Sequence, residues 1–139
     1  MPPKKPSAAS WPPDLVLLLD RCMGAKTVPD ALRAEGANVL CHQDHFAHDA
    51  PDEQWLKEAG QRGWVVITKD RRIRSRSAEK DAIIDSGALA FLVVSANVGG
   101  AALAEIVRRA LPSIRQLAID GKSGQMYLIG RTGKPTRVR

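Results

Sequence analysis

Five short apolar runs alternate strictly with four segments of helical spacing, and this order leaves few architectures open to the chain. The runs cover residues 15–19, 37–41, 64–68, 89–94 and 126–129. Runs this apolar, without polar alternation, suit strands covered on both faces of a sheet. Between them, residues 28–35 place Val28, Ala31 and Leu32 on one face, with Pro29 in the first turn and a stop at Gly36. Residues 51–62 open on Asp52 and Glu53, acids that suit the positive end of a helix, and stop at Gly63. Residues 78–86 follow Ser77 as a cap and stop at Gly87. Residues 100–118 carry Leu103, Ile106, Val107, Ala110, Ile114 and Leu117 at helical spacing, and Pro112 is expected to kink them. Strands separated by helical crossovers predict an α/β fold, a three-layer α/β/α arrangement around a mostly parallel five-stranded sheet.

A chain of 139 residues suits one domain. Residues 1–13, with Pro2, Pro3, Pro6, Pro12 and Pro13, read as a flexible leader, residues 14–130 as the domain and residues 131–139 as a basic tail. Apolar residues at 44% and charged residues at 26% exclude a disordered chain, a collagen-like repeat and a disulfide scaffold. No run approaches a membrane span, and Lys4 and Lys5 are followed by Pro, Ser and Ala instead of an apolar signal core, so a cytoplasmic protein is expected. Cys22 and Cys41 stand in no zinc or redox spacing and read as small buried thiols. The net charge of +6 is uneven, because all 15 acids lie between Asp14 and Asp120. Lys4, Lys5, Lys122, Arg131, Lys134, Arg137 and Arg139 carry the excess. Basic ends on a near-neutral body suit a polyanion, and equally suit simple solubilisation.

In a parallel α/β sheet, ligands bind beyond the carboxyl ends of the strands, where strand order reverses. The first strand ends in Asp20, the second in His42-Gln43-Asp44, and the third in Lys69-Asp70. Helix starts face the same edge, which brings Asp52 and Glu53 there too. Any one of these acids is explained by a turn or a helix cap. Three segments delivering acids to one edge are not. Carboxylates gathered without counter-charge raise one another's pKa or take a cation, and hard oxygen ligands select magnesium or manganese. Other phosphate signatures fail: Arg21-Cys22-Met23-Gly24-Ala25-Lys26 is neither a dinucleotide turn nor a P-loop. A phosphoacceptor receiver domain wants paired acids after strand one and a Lys after strand five, where this chain has a single acid and Gly130-Arg131.

The residues Leu18-Leu19-Asp20-Arg21, His42-Gln43-Asp44-His45-Phe46, Asp52-Glu53-Gln54-Trp55-Leu56 and Gly63 through Ile73, with its Thr68-Lys69-Asp70 core, resemble PIN-like nucleases. The resemblance is to the small stand-alone group related to VapC-type toxins, and it spans residues 15 to 130. It implies a metal-dependent endoribonuclease, the toxin of a type II toxin-antitoxin pair, with RNA as substrate, a cognate antitoxin as partner and a homodimer as the assembly. It also implies Asp20, Asp52 and Asp70 as catalytic ligands of Mg2+ or Mn2+, with Glu53 a substitute for Asp52. Many such domains carry a further acid or amide two residues after the third Asp, where this chain has Arg72. Asp44 and Asp49 are the candidates to replace it. The same departure keeps open a catalytically inactive module that binds RNA or protein, and the receiver-like signalling domain stands third.

Lys69, Arg71, Arg72, Arg74 and Arg76 cluster beside the acids and are candidates for holding phosphates, or an acidic segment of an inhibitor. Aromatic residues at 4% are too few for a base-stacking platform, so Trp55 and Trp64 are expected in the core. His42, His45 and His48 lack a metal spacing and read as loop residues, with His45 a candidate proton donor near substrate.

Overall fold

A computed structural model describes residues 11–94, 98–121 and 124–138, without the side chains of Arg74 and Ser75. Most of the expected leader, and the basic residues Lys4, Lys5, Lys122 and Arg139, lie outside the described residues. In chain order the elements are β1 (Val16–Leu19), α1 (Thr27–Ala34), β2 (Asn38–Cys41), α2 (His42–His45), α3 (Asp52–Gln61) and β3 (Val65–Thr68). Then follow α4 (Arg72–Ser75), α5 (Ser77–Ser86), β4 (Leu89–Val93), α6 (Gly100–Ile119), β5 (Gln125–Ile129) and β6 (Pro135–Arg137). A short 3-10 turn, Arg21–Met23, follows β1.

The sheet runs in the order β2-β1-β3-β4-β5-β6. Its first five strands are parallel, as the alternation predicts, and β6 is antiparallel to β5. Successive strand residues point to opposite faces, so the core divides in two. Leu17, Leu19, Val65, Ile67, Phe91 and Ile129 pack against α1 and α6. Leu18, Val66, Ala90, Leu92 and Met126 pack against Trp55, Leu56 and Ala59 of α3 and Ile83 of α5. This is the three-layer α/β/α arrangement. Strand order reverses between β1 and β3, because the chain steps outward to β2 and then crosses back. Asp20 and Asp70 flank that reversal.

The sixth strand lies inside the stretch expected to be a tail. Gly133 turns the chain with φ +80, in the left-handed region, and a Cβ there would stand 2.8 Å from the Arg109 Cβ on α6. Thr136 then pairs with Leu128. Its Pro-Thr-Arg sequence carries no apolar pattern because it lies on an edge, and Pro135 has no N–H to offer a neighbour. The other edge is β2, where the Arg33 guanidinium donates to the Val39 carbonyl at 3.0 Å.

Several local expectations change. Ser77 is the first residue of α5, with Arg76 at the cap position and no side-chain cap. Helix α6 runs unbroken through Pro112. Trp11, within the expected leader, is buried in the core and its indole N–H donates to the Leu15 carbonyl at 2.9 Å. Trp55 is buried as expected, whereas Trp64 is partly exposed beneath the Arg62 guanidinium, 5.0 Å from the ring centroid. Cys41 is buried, but Cys22 is exposed.

Helices α3 and α5 meet closely at Gly60, where an added Cβ would overlap the Ser86 side chain and stand 2.8 Å from the Ser86 carbonyl oxygen. Gly60→Ala is therefore expected to cost about 1–3 kcal/mol in a denaturant titration. Adding Ser86→Gly should recover only part of that loss, because the carbonyl contact remains.

Candidate active site

The two central strands end side by side, with Leu19 opposite Ile67, and the Asp20 N–H continues the ladder by donating to the Ile67 carbonyl at 2.9 Å. Both oxygens of Asp20 then find neutral donors. Oδ1 accepts the Arg21 N–H at 2.7 Å, which caps the 3-10 turn. Oδ2 accepts the Thr68 hydroxyl at 2.7 Å. Thr68 is fully buried, and its oxygen in turn accepts the Asp70 N–H at 3.0 Å. One hydroxyl thus ties the end of β1 to the turn that carries the third acid.

Asp70 is held differently. The Arg72 guanidinium lies across its carboxylate, with Nη2 at 2.7 Å from Oδ2, and the Arg72 backbone N–H adds a bond of 3.0 Å to Oδ1. These bonds, with the positive charge of Arg72 and then Arg76, hold the Asp70 carboxyl below the usual carboxylate range, against the opposing effect of its burial. Asp52 is the first residue of α3, and its Oδ1 accepts the indole N–H of Trp55 at 3.0 Å. Because Trp55 is locked in the core, the Asp52 carboxylate is held in place.

Asp20, Asp52, Asp70, Arg72, His42 and His48 all contribute to the wall of one open cavity of about 330 Å³ at the strand-order reversal. The structure therefore gathers the three acids singled out from the sequence. Asp44, Asp49 and Glu53 are exposed and outside this wall. The Asp44 and Asp49 carboxylates occupy α2 and the loop after it, so neither supplies the acid missing at Arg72. His45 also lies elsewhere: its ring packs on Trp64 and its Nε2 is 3.5 Å from Glu58, away from the acids. Of the basic cluster, only Arg72 lines the cavity. Lys69 and Arg71 are exposed beside it, Arg76 stands 3.9 Å from the buried Glu79, and the Arg74 side chain lies outside the described residues.

The sequence reading did not single out Thr68, Cys22 and His48 as site residues, and took His42 for a loop residue. His42 is buried, its ring edge-on to Trp55 at 4.9 Å, and neither ring nitrogen has a hydrogen-bond partner among the described residues. Loss of water around the ring pushes its pKa below the ordinary histidine value, outweighing the pull of the Asp20 charge. The Cys22 sulfur lies 3.3 Å from the Thr68 oxygen and 3.6 Å from Asp20 Oδ2. Desolvation of the sulfur, then the Asp20 charge, push its thiol pKa up, so the neutral form is favoured. A hydroxyl residue directly before the strand-end turn was the available signal for Thr68.

A divalent ion needs several of these oxygens at once. Among the described residues no three His, Cys, Asp or Glu side chains stand close enough to share one, and Arg72 covers both oxygens of Asp70. As seated, the acids do not fit the ion that the resemblance implies.

The family model described as PIN like domain matches residues 15–95, more than half of the chain. The chain belongs to the PIN-like domain family. Within it, the chain is 30% identical over 86 residues to the protein named "Putative ribonuclease VapC45" of Mycobacterium tuberculosis (strain ATCC 25618 / H37Rv). That alignment covers 59% of this chain and 62% of the relative. No solved structure matches the chain at comparable stringency. The matched residues 15–95 include all three cavity acids of this PIN-like domain, Thr68 and Arg72.

Two measurements check this construction. Thr68→Val keeps the shape of the side chain but strands the Asp20 carboxylate and the Asp70 N–H, and is expected to lower stability by about 1–3 kcal/mol with an unchanged denaturant slope. His42 binds its proton less readily when folded than when unfolded, so the unfolded state takes up more protons below about pH 6.5. Stability should therefore fall as pH drops from 7 toward 5, and His42→Phe should flatten that part of the profile.

Proposed function

We propose that this PIN-like domain is an endoribonuclease and the toxin half of a toxin-antitoxin pair. The observation that carries the reading is the convergence of Asp20, Asp52 and Asp70, from three separate segments, on one cavity at the strand-order reversal, with a guanidinium among them. Such a wall suits a phosphodiester: carboxylates beside the reacting phosphorus and Arg groups that bind phosphate oxygens in pairs. Asp20, Asp52 and Asp70 are assigned as the catalytic acids. Lys69, Arg71, Arg72, Arg74 and Arg76 are assigned to the RNA backbone, whose binding should weaken with added salt. Membership of the family and the printed name of the mycobacterial relative support the ribonuclease class. Mg2+ or Mn2+ is the cofactor this class implies, although the acids as seated do not accommodate it.

Family resemblance further suggests RNA in the cytoplasm as the target, an antitoxin protein as partner and a homodimer as the working unit. No helix among the described residues is long and apolar enough to cross a membrane. A second reading, a module that binds RNA without cutting it, is favoured by one observation, the full engagement of Asp70 by Arg72.

Purified protein incubated with an RNA panel and Mn2+ separates the two. Cleavage is expected for the wild type, lost with chelator, and reduced by about two orders of magnitude or more by Asp20→Asn. Asparagine keeps an oxygen to accept the Thr68 hydroxyl, so that variant should melt close to the wild-type temperature. RNA binding without cleavage under every condition would instead support the binding module.

A further inference from the structure

A carboxylate offers about four lone-pair positions. On Asp70 all four are taken by one residue. The Arg72 backbone N–H and Nε reach Oδ1, each at 3.0 Å, while Nε and Nη2 reach Oδ2 at 3.1 and 2.7 Å. The pair is local, formed across the single residue Arg71, so its geometry follows from the turn between β3 and α4. The guanidinium also feels the charges of Asp52 and Glu79. It therefore serves as counter-charge to the acids of the cavity. A divalent ion at the same oxygens would face both a filled coordination sphere and a neighbouring positive charge. Yet the seat is not sealed: 58% of the Arg72 side chain is exposed, and a phosphate entering the cavity meets the same planar fork that Asp70 now occupies.

We propose that Arg72 is the resident cation of this site, keeping a divalent ion off Asp70 until a phosphate of bound RNA takes over its guanidinium. The exchange balances charge: the arginine passes from a carboxylate to a phosphate, and the freed carboxylate receives the ion. RNA and the ion then bind with positive coupling, and by linkage each raises the other's affinity by the same factor. The inference rests on the ribonuclease reading only for the identity of the polyanion. The expected coupling is about tenfold, the scale of one partly exposed charge-assisted pair.

Calorimetric titration with Mn2+ tests it, using the full chain with and without a saturating 2′-O-methyl oligoribonucleotide, and with the free oligonucleotide titrated separately. Arg72→Gln should bind Mn2+ about tenfold more tightly than the wild type when no RNA is present. The oligonucleotide should close most of that gap for the wild type and change the Arg72→Gln affinity less than twofold. Asp70→Asn in the Arg72→Gln background should erase the gain. Arg72→Lys, which keeps the charge but not the fork, should fall between wild type and Arg72→Gln, and melting curves of each variant confirm that the fold is kept. Equal Mn2+ affinities for wild type and Arg72→Gln, or an oligonucleotide effect that survives Arg72→Gln, would overturn the proposal. If the coupling is observed but no RNA is cleaved, the ribonuclease reading fails and the Arg72 exchange stands.

Discussion

The Thr68 hydroxyl, buried between the ends of β1 and β3, is the contact on which the rest of the site depends. It donates to Asp20 and accepts from the Asp70 backbone, so a single oxygen sets the spacing of two acids 50 residues apart in sequence. That oxygen is held by the parallel register that places Leu19 opposite Ile67, and the register is held by two apolar layers that load opposite faces of the same strands. A slip of one residue would turn every core side chain to the wrong layer. Catalytic geometry and core packing are thus parts of one constraint.

The two strand-end acids have nevertheless been stabilised in different ways. Asp20 is surrounded by neutral donors, an N–H and a hydroxyl, and keeps its charge available to the cavity. Asp70 is neutralised by a neighbour two residues on. Asp52, reaching in from the start of α3, leans on a buried indole. An asymmetric trio of this kind differs from the bare acidic cluster that the sequence suggests, in which repulsion alone would call for a metal.

Much of this was legible before any coordinates. The five apolar runs became the five parallel strands, the four periodic segments became α1, α3, α5 and α6, and the strand ends and the α3 start carried Asp20, Asp52 and Asp70 to one cavity. Elements with no periodicity to read were missed. Helices α2 and α4 are four residues each, a single turn, too short for a face to repeat. Strand β6 is polar because it borders solvent. Single side chains whose role depends on a partner far along the chain, such as Thr68 beneath Asp20 or His42 against Trp55, leave no local pattern. The opposite case is Arg72: its departure from the family pattern was visible in sequence, whereas its grip on Asp70 needed the conformation of the turn.

The borders of the sheet carry a further consequence. One border is a three-residue strand that starts with a proline, and the other has a carbonyl already occupied by Arg33. A neighbouring chain seeking to extend the sheet by adding a strand would find little unpaired backbone on either side. Partners are thereby directed to the helical layers and the cavity mouth, where recognition depends on side chains and can be specific, and sheet-to-sheet aggregation is discouraged during the time the protein spends without a partner.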